Sequence, residues 1–177
     1  MRTLKYAILG LLDQNPMSGY DLSAKFGEAL NEFWSAKHSQ IYPELKRLTD
    51  EGLVEYHIEI SGQVLERKVY TITPTGKQDF LKWLESEETI ESTPKDVFRL
   101  RMFFSSELSV NKRCSLIQHE LDQHLRRLQH LEEKLGNYPE VTDNDKNFGD
   151  YLVLRGAVSR EQAHCEWLKD CLYLCTK

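Results

Sequence analysis

The sequence predicts a mainly α fold, with an N-terminal winged helix-turn-helix followed by a C-terminal helical domain. Three observations carry this. Three amphipathic helical segments, two strand-like segments and a further helix follow one another within the first 87 residues. The two strand-like segments are separated only by Ser61-Gly62-Gln63, which suits a hairpin. Beyond an acidic, polar stretch at 85–93, two long segments repeat apolar residues every seven positions. The boundaries follow: 1–90 for the winged helix and 91–177 for the helical part.

Helix one carries Leu4, Ile8, Leu11 and Leu12 on one face, with Ala7 beside them. Asn15-Pro16-Met17-Ser18-Gly19 breaks the chain. Helix two follows from about Tyr20, with Leu22, Phe26, Ala29, Leu30 and Phe33 at helical spacing; Ser18 suits its cap and Asp21 its first turn. Helix three begins near Ser39 and stops at Gly52, a residue suited to a left-handed cap. Ile41, Leu45 and Leu48 form its buried stripe, and Pro43 is expected in or close to its first turn. Its exposed side then shows Gln40, Tyr42, Lys46 and Arg47.

Val54, Tyr56, Ile58 and Ile60 alternate with polar residues, the pattern of a half-buried strand, and 65–72 returns as a β-branched and aromatic strand. Thr73-Pro74 opens another helix, with threonine as cap, proline first, and Phe80, Leu81 and Leu84 on the inner face. Thr93-Pro94 opens a fresh helix through Phe104. The segment 109–135 reads as one long helix, with apolar residues at 114, 117, 121, 128, 131 and 135, interrupted by His124. In the last helix Tyr151, Val158, Cys165 and Leu172 repeat every seven; Leu154, Leu168 and Cys175 nearly complete a second series, broken by Glu161. So narrow a seam wants a partner helix, in the same chain or in another subunit.

Composition bounds the function. No apolar stretch approaches the roughly 20 residues of a membrane helix, and the first apolar run reads as a folded helix rather than a signal peptide, which predicts a cytoplasmic protein. The four cysteines, at 114, 165, 171 and 175, form no C-x-x-C pair and read as reduced thiols; Cys171 and Cys175 share a face but lack two further ligands for a metal. No glycine-rich phosphate loop, G-x-S-x-G or H-E-x-x-H occurs, and His119, His124 and His130 do not share a helical face. Neither an enzyme nor a bound cofactor or metal is expected.

The net charge is −5, and residues 1–87 hold ten Lys/Arg against thirteen Asp/Glu. Binding to nucleic acid therefore requires a local patch. One exists: from 33 to 47 there are three basic residues against one Glu. In a winged helix, helix three enters the major groove and the hairpin reaches adjacent phosphates. Ser39, Gln40 and Tyr42 stand at the end that approaches base edges, and glutamine pairs bidentately with adenine. Lys37, Lys46 and Arg47 flank them as phosphate partners; Arg67 and Lys68 supply the wing. Double-stranded DNA is the partner this surface predicts. A protein-only adaptor built on the same scaffold is the competing reading.

These residues resemble a known family. Residues 4–12 (Leu-Lys-Tyr-Ala-Ile-Leu-Gly-Leu-Leu), Ser18-Gly19-Tyr20-Asp21-Leu22, 39–48 (Ser-Gln-Ile-Tyr-Pro-Glu-Leu-Lys-Arg-Leu) and 70–77 (Tyr-Thr-Ile-Thr-Pro-Thr-Gly-Lys) together resemble the PadR family of transcriptional regulators. The stretch 33–42, with Lys95-Asp96, Phe148-Gly149, 151–154 and Trp167-Leu168, is similar to members that answer phenolic acids; 108–147 matches poorly. The resemblance implies a repressor that is a homodimer through its C-terminal helices and binds a palindromic operator. Tyr20, Ser39, Gln40, Tyr42 and Lys46 then occupy DNA-meeting positions, with Arg67 or Lys68 in the wing. It also implies derepression by a small planar phenolic acid such as p-coumarate.

Such an effector needs an apolar slot with a few polar groups. Trp34, Lys37 and His38 stand just before the recognition helix. Phe98, Phe103, Tyr151 and Trp167 are aromatic candidates farther along, and Arg155 is a candidate anion partner. The expected seat lies between the winged helix and the C-terminal helices.

Overall fold

The computed structural model describes residues 2–30, 34, 36–61, 65–89, 95–138 and 141–177, the side chains of 28, 29, 38, 61 and 65 excepted. The chain folds as two compact units, Met1–Glu91 and Ser92–Lys177.

In the first unit, α1 (Thr3–Gln14) buries Ile8, Leu9, Leu11 and Leu12. α2 (Gly19–Lys25) begins with a reciprocal cap: the Ser18 hydroxyl accepts from the Asp21 N–H at 3.2 Å, and the Asp21 carboxylate accepts from the Ser18 N–H at 3.1 Å. α3 (His38–Asp50) buries Ile41, Leu45 and Leu48 against α1 and α2. It is followed by Gly52 at φ 69°, the left-handed position expected of that residue. β2 (Val54–Ser61) and β3 (Leu65–Ile72) pair antiparallel from Val54↔Ile72 to Ser61↔Leu65. α4 (Pro74–Leu84) starts on Thr73, whose hydroxyl accepts from the Gly76 N–H at 3.1 Å.

Several expectations need correction. Met17–Ser18, read as a plain break, is a short strand, β1, that pairs with β3 at Tyr70 and Val69. It makes a three-stranded sheet in the order β1-β3-β2; two residues are too few for an alternation to register. Helix two ends at Lys25 and continues as a π-helical turn, Phe26–Leu30; Phe33 and the Ala29 side chain lie outside the described residues. Pro43 lies in the second turn of α3 rather than the first, because the helix starts at His38. Its missing N–H deprives the Ser39 carbonyl of a helical donor. On β2 only Val54 is buried, while Tyr56, Ile58 and Ile60 are exposed, since the ribbon extends past the core. On α4, Phe80 packs on the core as expected, but Leu81 and Leu84 are exposed within the unit, and Gly76 and Trp83 face inward in their place. Gly62 and Gln63 of the expected turn, and Thr93-Pro94, lie outside the described residues.

In the second unit, α5 (Val97–Phe103) is capped by Asp96, whose carboxylate accepts from the Arg99 N–H at 2.9 Å. A 3-10 turn, Ser105–Glu107, leads to α6 (Val110–Gly136). The Arg113 guanidinium secures this turn by donating to the carbonyls of Ser105 and Leu108 at 3.0 and 3.2 Å. α7 (Phe148–Thr176) packs along α6, so the seam closes within the chain. One apolar cluster joins Ile117 and Leu121 to Cys165 and Leu168; a second joins Leu131 to Leu154, Ala157 and Val158. At the hairpin's turn, the Tyr138 hydroxyl donates to Asp150, and that carboxylate pushes the phenol's pKa up to about 12. The cysteines are free thiols.

Candidate nucleic-acid interface

The stripe Ile41, Leu45 and Leu48 rotates α3 so that Ser39, Gln40, Tyr42, Lys46 and Arg47 are exposed, with Lys37 just before them. The single acid of this stretch is removed from the surface charge. Glu44 accepts from Arg2 at 2.6 Å, and the same guanidinium reaches Glu51 at 2.5 Å. Gln40 has a second occupation: its side-chain carbonyl accepts from the Lys37 N–H at 3.0 Å and helps cap α3. Sequence reasoning assigned it to adenine alone.

Beside α3 lies a concavity of about 620 Å³ lined by Ser18, Gly19, Tyr20, Asp21, Tyr42, Glu66, Arg67, Lys68 and Tyr70. The fold therefore brings Tyr20, Tyr42, Arg67 and Lys68 together, from α2, α3 and the wing. β1 is the reason, since its pairing to β3 sets the start of α2 against the wing. Tyr20 is 74% exposed, against 44% for Tyr42. Lys68 lies over the Tyr56 ring, 4.1 Å from its centroid, and contact with Tyr56 raises the ammonium's pKa.

Arg67 is already engaged. Its directly opposed partner on β2 is Glu59, which it meets at 2.9 Å, and Asp21 lies 3.9 Å away. Arg67 is the main cause holding the Glu59 carboxyl below its usual range, with His57 adding to it. The hydrogen bonds from Ser18 do the same for Asp21. Tyr70, Asp21, Glu59 and Gly19 went unrecognised as parts of this surface; counting register back from a Ser61↔Leu65 pair finds Glu59 opposite Arg67.

The aromatic residues weighed for an effector are dispersed. Trp34 packs on Phe26 with centroids 5.6 Å apart and lines a cavity of about 380 Å³ with Tyr6, Leu11, Leu30, Phe80 and Trp83. His38 starts α3, and its side chain lies outside the described residues. Phe98 meets Trp167 edge-on at 6.1 Å, with Arg99 over the indole at 5.5 Å. Tyr151 stands instead beside Tyr138 and Arg155, each at 5.9 Å. About 24 Å of helix separates Tyr151 from Trp167, at roughly 1.5 Å per residue, so one chain does not bring them to the same small ring. Phe103 is 80% exposed and touches Phe104.

Residues 8–82 match the Transcriptional regulator PadR-like family, and residues 94–176 match the Virulence activator alpha C-term family. The chain is 43% identical to the Negative transcriptional regulator PadR of Bacillus subtilis (strain 168), over 100% of both chains. It belongs to the PadR-like family of transcriptional regulators. Its structure is similar to that of Bacillus subtilis PadR in complex with operator DNA, with a TM-score of 0.95 and 43% identity, covering 98% of this chain and 99% of that one. With the same relative in complex with p-coumaric acid the TM-score is 0.88 at 42% identity, covering 100% and 97%. In this chain the PadR-like match precedes the match of the helical unit. Among the described residues no helix is long and apolar enough to cross a membrane.

Proposed function

We propose that this chain is a homodimeric, cytoplasmic repressor that binds a palindromic operator and is released from it by a small phenolic acid such as p-coumarate. It acts by binding and carries out no catalysis. The observation that carries this reading is the full-length likeness to a relative solved both on operator DNA and with p-coumaric acid. On this reading residues 1–90 bind DNA and residues 91–177 dimerise and take part in effector binding. Ser39, Gln40 and Tyr42 meet base edges, Lys37 and Lys46 meet phosphates, and Tyr20, Arg67 and Lys68 contact the backbone beside the wing. Support comes from the convergence of Tyr20, Tyr42, Arg67 and Lys68 on one concavity and from the withdrawal of Glu44 onto Arg2.

Dimerisation through the helical unit is supported by apolar side chains left uncovered there, Val97, Leu100 and Phe103 on α5 and Tyr173 and Leu174 on α7. The dimer sets the separation of two recognition helices, which must match about 34–36 Å or a multiple of it. The effector acts by binding the DNA-incompetent arrangement more tightly. Trp34, ahead of α3, and His38, its first residue, are the effector candidates best placed to move it. Phe98, Tyr151, Arg155 and Trp167 supply helical-unit candidates, and Phe103 fits the dimer surface better.

Fluorescence anisotropy with the operator fragment of the Bacillus subtilis relative tests the proposal. Binding in the nanomolar range at about 100 mM salt is expected, with release on adding millimolar p-coumarate. No binding would refute the regulator reading; binding indifferent to p-coumarate would refute this effector alone.

A further inference from the structure

Gly19 stands at the first position of α2, buried under the ring of Tyr42 from α3. A Cβ built on Gly19 would meet Tyr42 Cε1 at 2.7 Å, Cζ at 3.0 Å and the hydroxyl at 3.2 Å. Carbon atoms in contact prefer about 3.5–4.0 Å, so any side chain at 19 pushes the ring edge outward by roughly 1 Å. No backbone atom is among these three nearest neighbours. The displaced group is the far end of one exposed side chain, so the fold accommodates it by moving the Tyr42 ring, and this changes where the tyrosine hydroxyl sits.

We propose that Gly19 is a positioning residue for operator recognition: its bare backbone forms the platform on which Tyr42 rests, and this fixes the tyrosine before DNA arrives. This rests on the reading of Tyr42 as a DNA contact. The Ser18–Asp21 cap on one side and the β1–β3 pairing on the other hold the platform still. With Gly19 beneath it, the Tyr42 ring is restricted about its two side-chain torsions in the folded protein rather than on binding.

The test compares full-length Gly19→Ala, Tyr42→Ala and the double variant by operator anisotropy and thermal unfolding. Gly19→Ala should melt with the parent yet bind operator roughly tenfold more weakly, while adding almost nothing to the loss of Tyr42→Ala. In the parent protein, nuclear Overhauser contacts should link the Gly19 α-protons to the Tyr42 ring, a readout that survives if the alanine variant folds poorly. Normal binding by Tyr42→Ala would overturn the interface reading itself. If Tyr42→Ala binds weakly but Gly19→Ala binds normally, or costs as much without Tyr42 as with it, the platform role is wrong. Absence of the Overhauser contacts would also overturn it.

Discussion

His124 and Glu161, the two polar residues that interrupt the seven-residue series of α6 and α7, are hydrogen-bonded to each other. Along the two helices the pair lies between the Ile117–Leu168 cluster and the Leu131–Leu154 cluster, which share Leu128 at their edges. Around it lie Glu120, 3.6 Å from His124, Arg127, 3.5 Å from Glu161, and the His164 ring, 4.1 Å from that of His124. Removing one partner leaves the other half-buried beside groups arranged for a pair. Glu161→Ala should therefore cost roughly 1–3 kcal/mol, whereas His124→Leu/Glu161→Leu should equal or exceed the parent. Urea unfolding of all three proteins gives the comparison.

His164 supplies a pH dependence. Burial chiefly, with His124 and Arg99 adding and Glu161 and Asp96 opposing, lowers its pKa below the ordinary 6.5. The unfolded chain then binds the proton more readily than the folded one, so stability rises with pH. The contribution is intact above about 6.5 and is lost as pH falls toward the lowered folded value. Thermal melts between pH 5 and 8 should show a slope that flattens in His164→Gln; an unchanged slope would assign the effect elsewhere.

Glu59 restrains Arg67, and Glu59→Gln should free it for phosphate. Exposed pairs of this kind are weak and screened by salt, so operator affinity should rise by no more than about fivefold, most clearly at low salt. Lys46→Ala should act oppositely, weakening binding and reducing the slope of log K against log salt by about one. Anisotropy titrations from 50 to 300 mM salt, roughly the range over which counterion release is measured, resolve both.

The cap of α2 gives a stability prediction for the first unit. Ser18 is nearly fully buried, its hydroxyl donating to Asp21 at 2.7 Å while accepting from the Asp21 N–H. Ser18→Ala should cost about 1 kcal/mol, seen as a lower melting temperature, and Ser18→Thr should recover most of it.

Much of this was legible in the chain. The stripe Ile41-Leu45-Leu48, the β3 limits, the Thr73-Pro74 start and, to within a residue, the extent of the long helix α6 each follow from a local rule that the folded protein obeys. Two of the misses depend on contacts distant in sequence: nothing near Met17 announces Tyr70, and nothing near His124 names Glu161. The Lys37–Gln40 cap is different, since its partners are three residues apart and the signal was local. The alternation at Tyr56, Ile58 and Ile60 marked a strand correctly but not its burial, because periodicity reports which side faces inward and not whether anything covers it. The residues proposed to meet DNA stood out by charge and position, while Glu59, which pairs with Arg67, and Gly19, which lies under the Tyr42 ring, stood out by neither.

The amide of Gln40 enters any encounter with a base already spoken for. An adenine engaging both of its ends must share, or evict, the donor that opens the recognition helix, and whatever it gains is set against a frayed first turn. Operators should consequently tolerate substitution beneath this side chain better than the usual penalty of about 1–3 kcal/mol for a wrong base. Sequence preference would then be concentrated elsewhere along each half-site.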